Sequence, residues 1–202
     1  MTVYEELYND VKSRLSEKRF KHTEGVIKRS LEYAEIYGAN IEDTKIAALA
    51  HDIAKQIPQE ESFELLKKYN IELDEIEKEN FNLIHSKLGA EIVKEKYGFN
   101  DDIINAIKYH TTGRENMSIL EKIIFLADAT EENRTYKELD MLVSMIKDNI
   151  DEGMIYTFNW TFNDITNKRF TLHLNSVKAY NYLVKKHKFI WKIYSQSYKN
   201  LI

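Results

Sequence analysis

Ala47-Ala48-Leu49-Ala50-His51-Asp52-Ile53-Ala54-Lys55 decides the reading of this chain. Ile46, Ala47, Leu49, Ala50 and Ile53 recur at helical spacing, so the stretch predicts an apolar helix. An imidazole and a carboxylate stand side by side at its end. A lone histidine on such a face is ordinarily a hydrogen-bonded core residue. The adjacent acid is harder to accommodate, because a buried carboxylate is costly unless positive charge compensates it. A metal ion does so, and His with Asp is a normal ligand pair for a first-row transition metal.

Helical periodicity continues on both sides. Upstream, Val26, Ile27, Leu31, Ala34 and Ile36 with Tyr37 line one face, and Gly38 is a natural stop. Downstream, Pro58 suits the start of a helix running to about Tyr69. Leu83, Ile84, Leu88, Ile92 and Val93 make the next, closed by Gly98. Ile103 to Ile107 and Ile119 to Ala127 follow, and the region from Leu139 to about Ile150 is helical again. Thr157 to Thr171 is ambiguous, and a final helix runs from about Ser176. The expected fold is all-α. Tyr37-Gly38-Ala39-Asn40 and Tyr97-Gly98-Phe99-Asn100 are an echo: each precedes a helix that ends in a histidine, His51 or His110.

Composition bounds the rest. The 202 residues, 43% hydrophobic and 31% charged, suit a globular chain with a real core. One proline and six glycines favour long helices with short connections, and no interior linker stands out, so one domain is expected over 1–202. There is no cysteine, which excludes disulfides and thiolate ligands. The N-terminus lacks a signal-peptide core and no apolar run is long enough for a bilayer, so a cytoplasmic protein without membrane contact is expected. Net charge is −4, which does not favour nucleic acid. The charge is uneven: from Gln59 to Asn80 acids outnumber lysines eight to three, whereas Lys178 to Ile202 holds six lysines and no acid. The aromatics of that tail (Phe189, Trp191, Tyr194, Tyr198) suit packing on the domain or a homodimer interface.

Four of six histidines share a setting. His22 opens a helix, His51 ends one, His85 lies near the start of another and His110 ends a fourth; Asp128 interrupts the apolar run Ile123 to Ala129. His173 and His187 have no such setting and read as surface residues. Helix ends can converge in a bundle core and build metal sites there. Four imidazoles and two carboxylates suffice for two metal ions if one carboxylate bridges. Two metals about 3.5–4 Å apart are a known device for phosphoryl transfer, clamping the attacking and leaving oxygens. The ligand set favours iron, manganese, cobalt, nickel or zinc over magnesium.

The ordered blocks Arg19-Phe20-Lys21-His22-Thr23-Glu24-Gly25-Val26, His51-Asp52-Ile53-Ala54-Lys55, His85-Ser86-Lys87-Leu88-Gly89-Ala90, Ala106 to Gly113 and Leu126-Ala127-Asp128 resemble the YqeK family of HD-domain phosphohydrolases. The resemblance spans about Arg19 to Arg134. It implies an HD-domain helical bundle, with a metal-site core over about 19–134 and additional C-terminal helices over about 139–202. It also implies a dinuclear centre, iron first, and symmetrical hydrolysis of dinucleoside tetraphosphates by metal-bound hydroxide, diadenosine tetraphosphate giving two ADP. Carried over, His22, His51, Asp52 and Asp128 hold one metal; Asp52, His85 and His110 hold the second, with Asp52 bridging. Lys55 is a candidate for catalysis and phosphate binding. Thr111, Thr112, Gly113 and Arg134 are candidate substrate contacts.

The departure comes after Asp128. The family's Glu-Pro-x-Arg and Pro-Gly turn are replaced by Glu131-Glu132-Asn133-Arg134 and Lys137-Glu138, so this loop is where substrate choice would diverge. Two other readings stand beside the main one: an HD phosphohydrolase of mononucleotides or guanosine alarmones, and a non-catalytic metal- or nucleotide-binding regulatory module.

Overall fold

The computed structural model describes the backbone of residues 1–199 and the side chains of 1–186. Eleven α-helices and no strand occur among the described residues. They are α1 (Val3–Arg14), α2 (Glu17–Tyr37), α3 (Ile41–Ala50), α4 (Gln59–Lys68), α5 (Glu75–Glu79), α6 (Ile84–Tyr97), α7 (Asp101–Tyr109), α8 (Ile119–Thr130), α9 (Leu139–Asp148), α10 (Ile150–Asn167) and α11 (Leu174–Lys199). A 3₁₀ turn, Phe81–Leu83, leads into α6. No helix is long and apolar enough to cross a membrane among the described residues.

Two helical hairpins, α2–α3 and α6–α7, build the centre, and the echo in the sequence is their shared joint. Gly38 and Gly98 adopt left-handed backbone (φ 67° and 64°) and close α2 and α6. An asparagine two residues later then caps the next helix: Asn40 accepts from the Asp43 N–H, and Asn100 from those of Asp102 and Ile103. Helix α3 packs on α7, and α8 lies against α2, α3 and α7. The core between them holds Leu49, Ile53, Leu88, Ile103, Ile107, Ile123 and Leu126, each essentially inaccessible.

Helix α1, which the periodicity leaves unassigned, begins with a Thr2–Glu5 capping box and buries Leu7 and Val11 against this core. The ambiguous stretch from Thr157 is helical as far as Asn167, because α10 lays Phe158 on Phe125 of α8, ring centroids 5.0 Å apart. Helix α11 packs on α10. The side chains of His187, Phe189, Trp191, Tyr194 and Tyr198 lie outside the described residues.

Candidate metal centre

Helix ends deliver the histidines to one place. Helix α3 stops at Ala50, and the chain continues in tight turns, with Ile53 N–H bonded to Ala50 O and Lys55 N–H to Asp52 O. His51 and Asp52 fall at this junction. His110 occupies the same position after α7, His85 is the second residue of α6, and Asp128 lies in the last turn of α8. His22 comes from α2, one turn after Arg19 on the same face. All four imidazoles and Asp52 are buried; Asp128 keeps a quarter of its side chain exposed.

The four rings are held in one tautomer. His51, His85 and His110 each place Nδ1 2.7 Å from the backbone carbonyl three residues earlier, Ala48, Asn82 and Ile107 respectively. A carbonyl only accepts, so each Nδ1 carries the proton and each Nε2 presents a bare lone pair. His22 does the same with a carboxylate, its Nδ1 lying 3.2 Å from Glu131 Oε1. The lone pairs converge. His85 and His110 face each other Nε2 to Nε2 at 3.1 Å, and the Nε2 atoms of His22 and His51 are buried without a hydrogen-bond partner.

Asp52 stands between two imidazole pairs. Its Oδ1 is 3.1 Å from His85 Nε2 and 3.8 Å from His110 Nε2. Its Oδ2 is 3.5 Å from His51 Nε2 and 3.9 Å from His22 Nε2. Asp128 Oδ1 completes the second side, 3.1 Å from His22 Nε2. Lone pairs and carboxylate oxygens at these distances repel unless a cation draws them together. Accordingly, His22, His51 and Asp128 form one group able to hold a metal ion, and His51, Asp52 and His110 another. These residues fit divalent metal ions.

The electrostatics agree. Burial alone would raise the Asp52 carboxyl, but the imidazoles around it, His51 first, hold it far below the usual carboxylate range. Burial, with His85 and His51 alongside, pushes His110 down to about 3, which keeps its ring neutral as a ligand must be.

Positive side chains ring the mouth. Arg19 Nη1 is 3.0 Å from Asp52 Oδ2. Arg134 donates through Nε and Nη2 to the Asp128 carbonyl (3.1 and 2.8 Å), and through Nη2 to its Oδ1 at 2.9 Å. With Lys18 and Lys21 they line a cavity of about 610 Å³ that opens on His22. Lys55 Nζ lies 3.4 Å from His85 Nδ1 on the other side, half-buried, and burial pushes its ammonium down.

Thr111, Thr112 and Gly113 are engaged differently. Thr111 pairs with the Ser86 hydroxyl at 3.2 Å. The buried Thr112 hydroxyl donates to Gly113 O, and its carbonyl accepts from Ser176. Gly113 has φ 65°, and a Cβ there would meet Phe158 at 2.8 Å. These contacts tie the end of α7 to α10 and α11, and they leave the Thr112 hydroxyl turned inward rather than free for a phosphate.

Three features escaped the sequence reading. Arg19 and Glu131 stand in the quoted blocks without a role of their own. His173 is buried rather than on the surface, 3.2 Å from Asp74 and 3.7 Å from Glu77 through Nε2. Its tautomer differs from that of the other four: Nδ1 accepts the Asn175 N–H, so Nε2 carries the proton and faces the carboxylates as a donor. That geometry marks a structural tie between α5 and the start of α11, where the metal centre has bare nitrogens.

Comparison with known proteins places this geometry. The HD domain model matches residues 19–133. A symmetrical bis(5'-nucleosyl)-tetraphosphatase of Halalkalibacterium halodurans is 34% identical over 88% of this chain and 95% of its own length. One of Bacillus subtilis is 34% identical over 89% and 97%. The crystal structure of a predicted HD superfamily hydrolase involved in NAD metabolism from Clostridium acetobutylicum superposes with a TM-score of 0.88 at 35% identity, covering 92% of this chain and 99% of that one. The chain belongs to the HD domain family, in the group that holds the symmetrical bis(5'-nucleosyl)-tetraphosphatases.

Proposed function

We propose that the protein hydrolyses dinucleoside tetraphosphates at the central anhydride, converting diadenosine tetraphosphate and water into two ADP. The observation that carries this reading is Asp52, whose two oxygens face two separate pairs of bare imidazole nitrogens beneath a cavity walled by cations. His22, His51, Asp52 and Asp128 would hold one metal ion and Asp52, His85 and His110 a second, with iron the first to load. Such ions, when bound, supply Lewis acidity to the attacking and leaving oxygens and lower the pKa of water.

The chain's own residues do the rest. Arg19 and Arg134 stand at the mouth and Lys55 on the His85 side, so a polyphosphate lying over Asp52 meets positive charge along its length. Arg134 is already fixed by Asp128, so its guanidinium offers its remaining donors without first being ordered. Half-buried Lys55 keeps its ammonium in a poorly solvated place, where contact with phosphate is worth more than on the surface. We take 1–202 as one domain, with the metal-site core over 19–134 and the helices from 139 as its extension.

The test is to load the protein with iron or manganese, add diadenosine tetraphosphate and resolve the products by anion exchange. ADP as sole product, lost on adding chelator, is expected. ATP with AMP would show that a different bond is cut and would overturn the reading.

A further inference from the structure

A second cavity, about 180 Å³, adjoins the first. Arg134 lines both. Around the smaller one stand Tyr136, Glu138, Tyr156 and Trp160. Tyr136 and Trp160 are stacked, centroids 5.6 Å apart and planes 26° apart, and the Tyr136 hydroxyl is pinned to the Ala129 carbonyl at 2.9 Å. Trp160 is nevertheless half exposed. The Glu138 carboxylate has no hydrogen-bond or ion-pair partner among the described residues. An aromatic wall, an unused acceptor and a cationic bridge to the phosphate cavity are therefore contiguous.

We infer that this cavity is a nucleobase site, with Trp160 as stacking platform and Glu138 as the residue that selects the base. The inference rests on the proposed polyphosphate reading, because Arg134 connects the two cavities. Flat rings stack on aromatic side chains irrespective of sequence, which gives affinity but little choice. Choice comes from Glu138. A carboxylate accepts two hydrogen bonds side by side and donates none. Guanine presents two adjacent donors, N1–H and the exocyclic amine. Adenine presents one donor beside an acceptor, which would face a carboxylate oxygen. The chemistry therefore favours guanine, and diguanosine tetraphosphate over diadenosine tetraphosphate.

The experiment measures kcat/KM for both tetraphosphates, alongside quenching of tryptophan fluorescence by GDP and by ADP in the absence of turnover. The proteins are wild type, Glu138→Gln and Trp160→Ala. Wild type is expected to favour the guanine substrate by about tenfold, the size of a lost bidentate hydrogen bond. Glu138→Gln, whose amide offers an acceptor beside a donor and so matches adenine, is expected to reverse that preference, lowering kcat/KM for the guanine substrate and raising it for the adenine one. Trp160→Ala is expected to raise KM for both substrates at least fivefold and to abolish the GDP quench. An unchanged substrate ratio in Glu138→Gln, or an unchanged KM in Trp160→Ala, would overturn the inference. Turnover of neither tetraphosphate, with a GDP quench lost only in Trp160→Ala, would sink the hydrolase reading and leave the base site standing.

Discussion

Gly25 has no room for a side chain, and the cause lies across the metal centre. A Cβ at this position would come within 2.5 Å of Glu131 Oε2. That oxygen is held by the Asn133 backbone N–H at 2.7 Å and side-chain amide at 2.8 Å, and the other oxygen receives His22 Nδ1–H. Glu131 thus fixes the tautomer and aim of His22, the part that a carboxylate behind a ligating imidazole generally plays. Gly25→Ala is expected to turn this carboxylate and lower metal content and turnover by about 10–100-fold. Melting of the metal-free protein should move little, since alanine is the better helix former by about 1 kcal/mol. Metal analysis beside a thermal melt decides it; full metal loading in the variant would remove Glu131 from this role. At this scale the sequence was informative where chemistry is intrinsic to the residue. Histidines beside acids at helix ends are unusual enough to notice. Glu131 was not legible, because its value depends on α8 ending at Thr130 so that the next residue swings beneath α2, a three-dimensional accident of one acid among 33.

Helix boundaries show the same division. Gly38, Asn40, Gly98 and Asn100 declared their joints because capping chemistry is local. Helix α10 did not, because its aromatic and β-branched residues are poor helix formers and its stability comes from neighbours. One such neighbour is Ile146 of α9, whose Cγ1 would sit 2.4 Å and Cα 3.2 Å from a Cβ at Gly153. The backbone atom cannot step aside, so Gly153→Ala is expected to destabilise by about 1–3 kcal/mol. Denaturant melts should show it as a lower midpoint at unchanged slope, with turnover per folded molecule retained; a midpoint equal to wild type would mean that α9 and α10 can slide apart. The tie between α5 and α11 makes a prediction in pH. Burial pushes Glu77 up, but His173 and Lys87, 2.6 Å away, outweigh it and hold the carboxyl at about 2 against an ordinary 4.5. A folded value below the unfolded one means that this stabilisation is complete above pH 4.5 and disappears as pH falls towards 2. Glu77→Gln should therefore lower the melting temperature at neutral pH and flatten the acid limb of its pH profile. A variant whose limb parallels wild type through that window would show that the tie carries no linkage.

Across the whole molecule, the proposed chemistry has an electrostatic difficulty that the fold resolves. The chain carries a net charge of −4, and its proposed substrate is a polyanion. Uniformly spread, that charge would slow encounter. The bundle instead brings Arg19, Lys18 and Lys21 from α2 and Arg134 from the loop after α8 to a single opening, while the acid-rich stretch from Gln59 to Asn80 is spent on α4 and α5. A cleft of one sign between low-dielectric walls raises the local concentration of an opposite charge, and the gain decays with ionic strength over a Debye length of about 8–10 Å. The sequence showed the charges but not this grouping, because Lys18 and Lys21 lie within one turn before His22 and Arg134 follows it by more than a hundred residues. Among the described residues neither Lys18 nor Lys21 makes a hydrogen bond or ion pair with the metal centre, so their part should be confined to encounter. Lys18→Ala with Lys21→Ala is expected to lower kcat/KM for a tetraphosphate substrate about tenfold at low salt and to leave kcat and metal content as in wild type. The two proteins should converge as salt approaches about 0.5 M, where screening removes the advantage from wild type as well. A fall in kcat, or a deficit that persists undiminished at high salt, would mean that these lysines hold the bound polyphosphate in place and do not act by attracting it from solution.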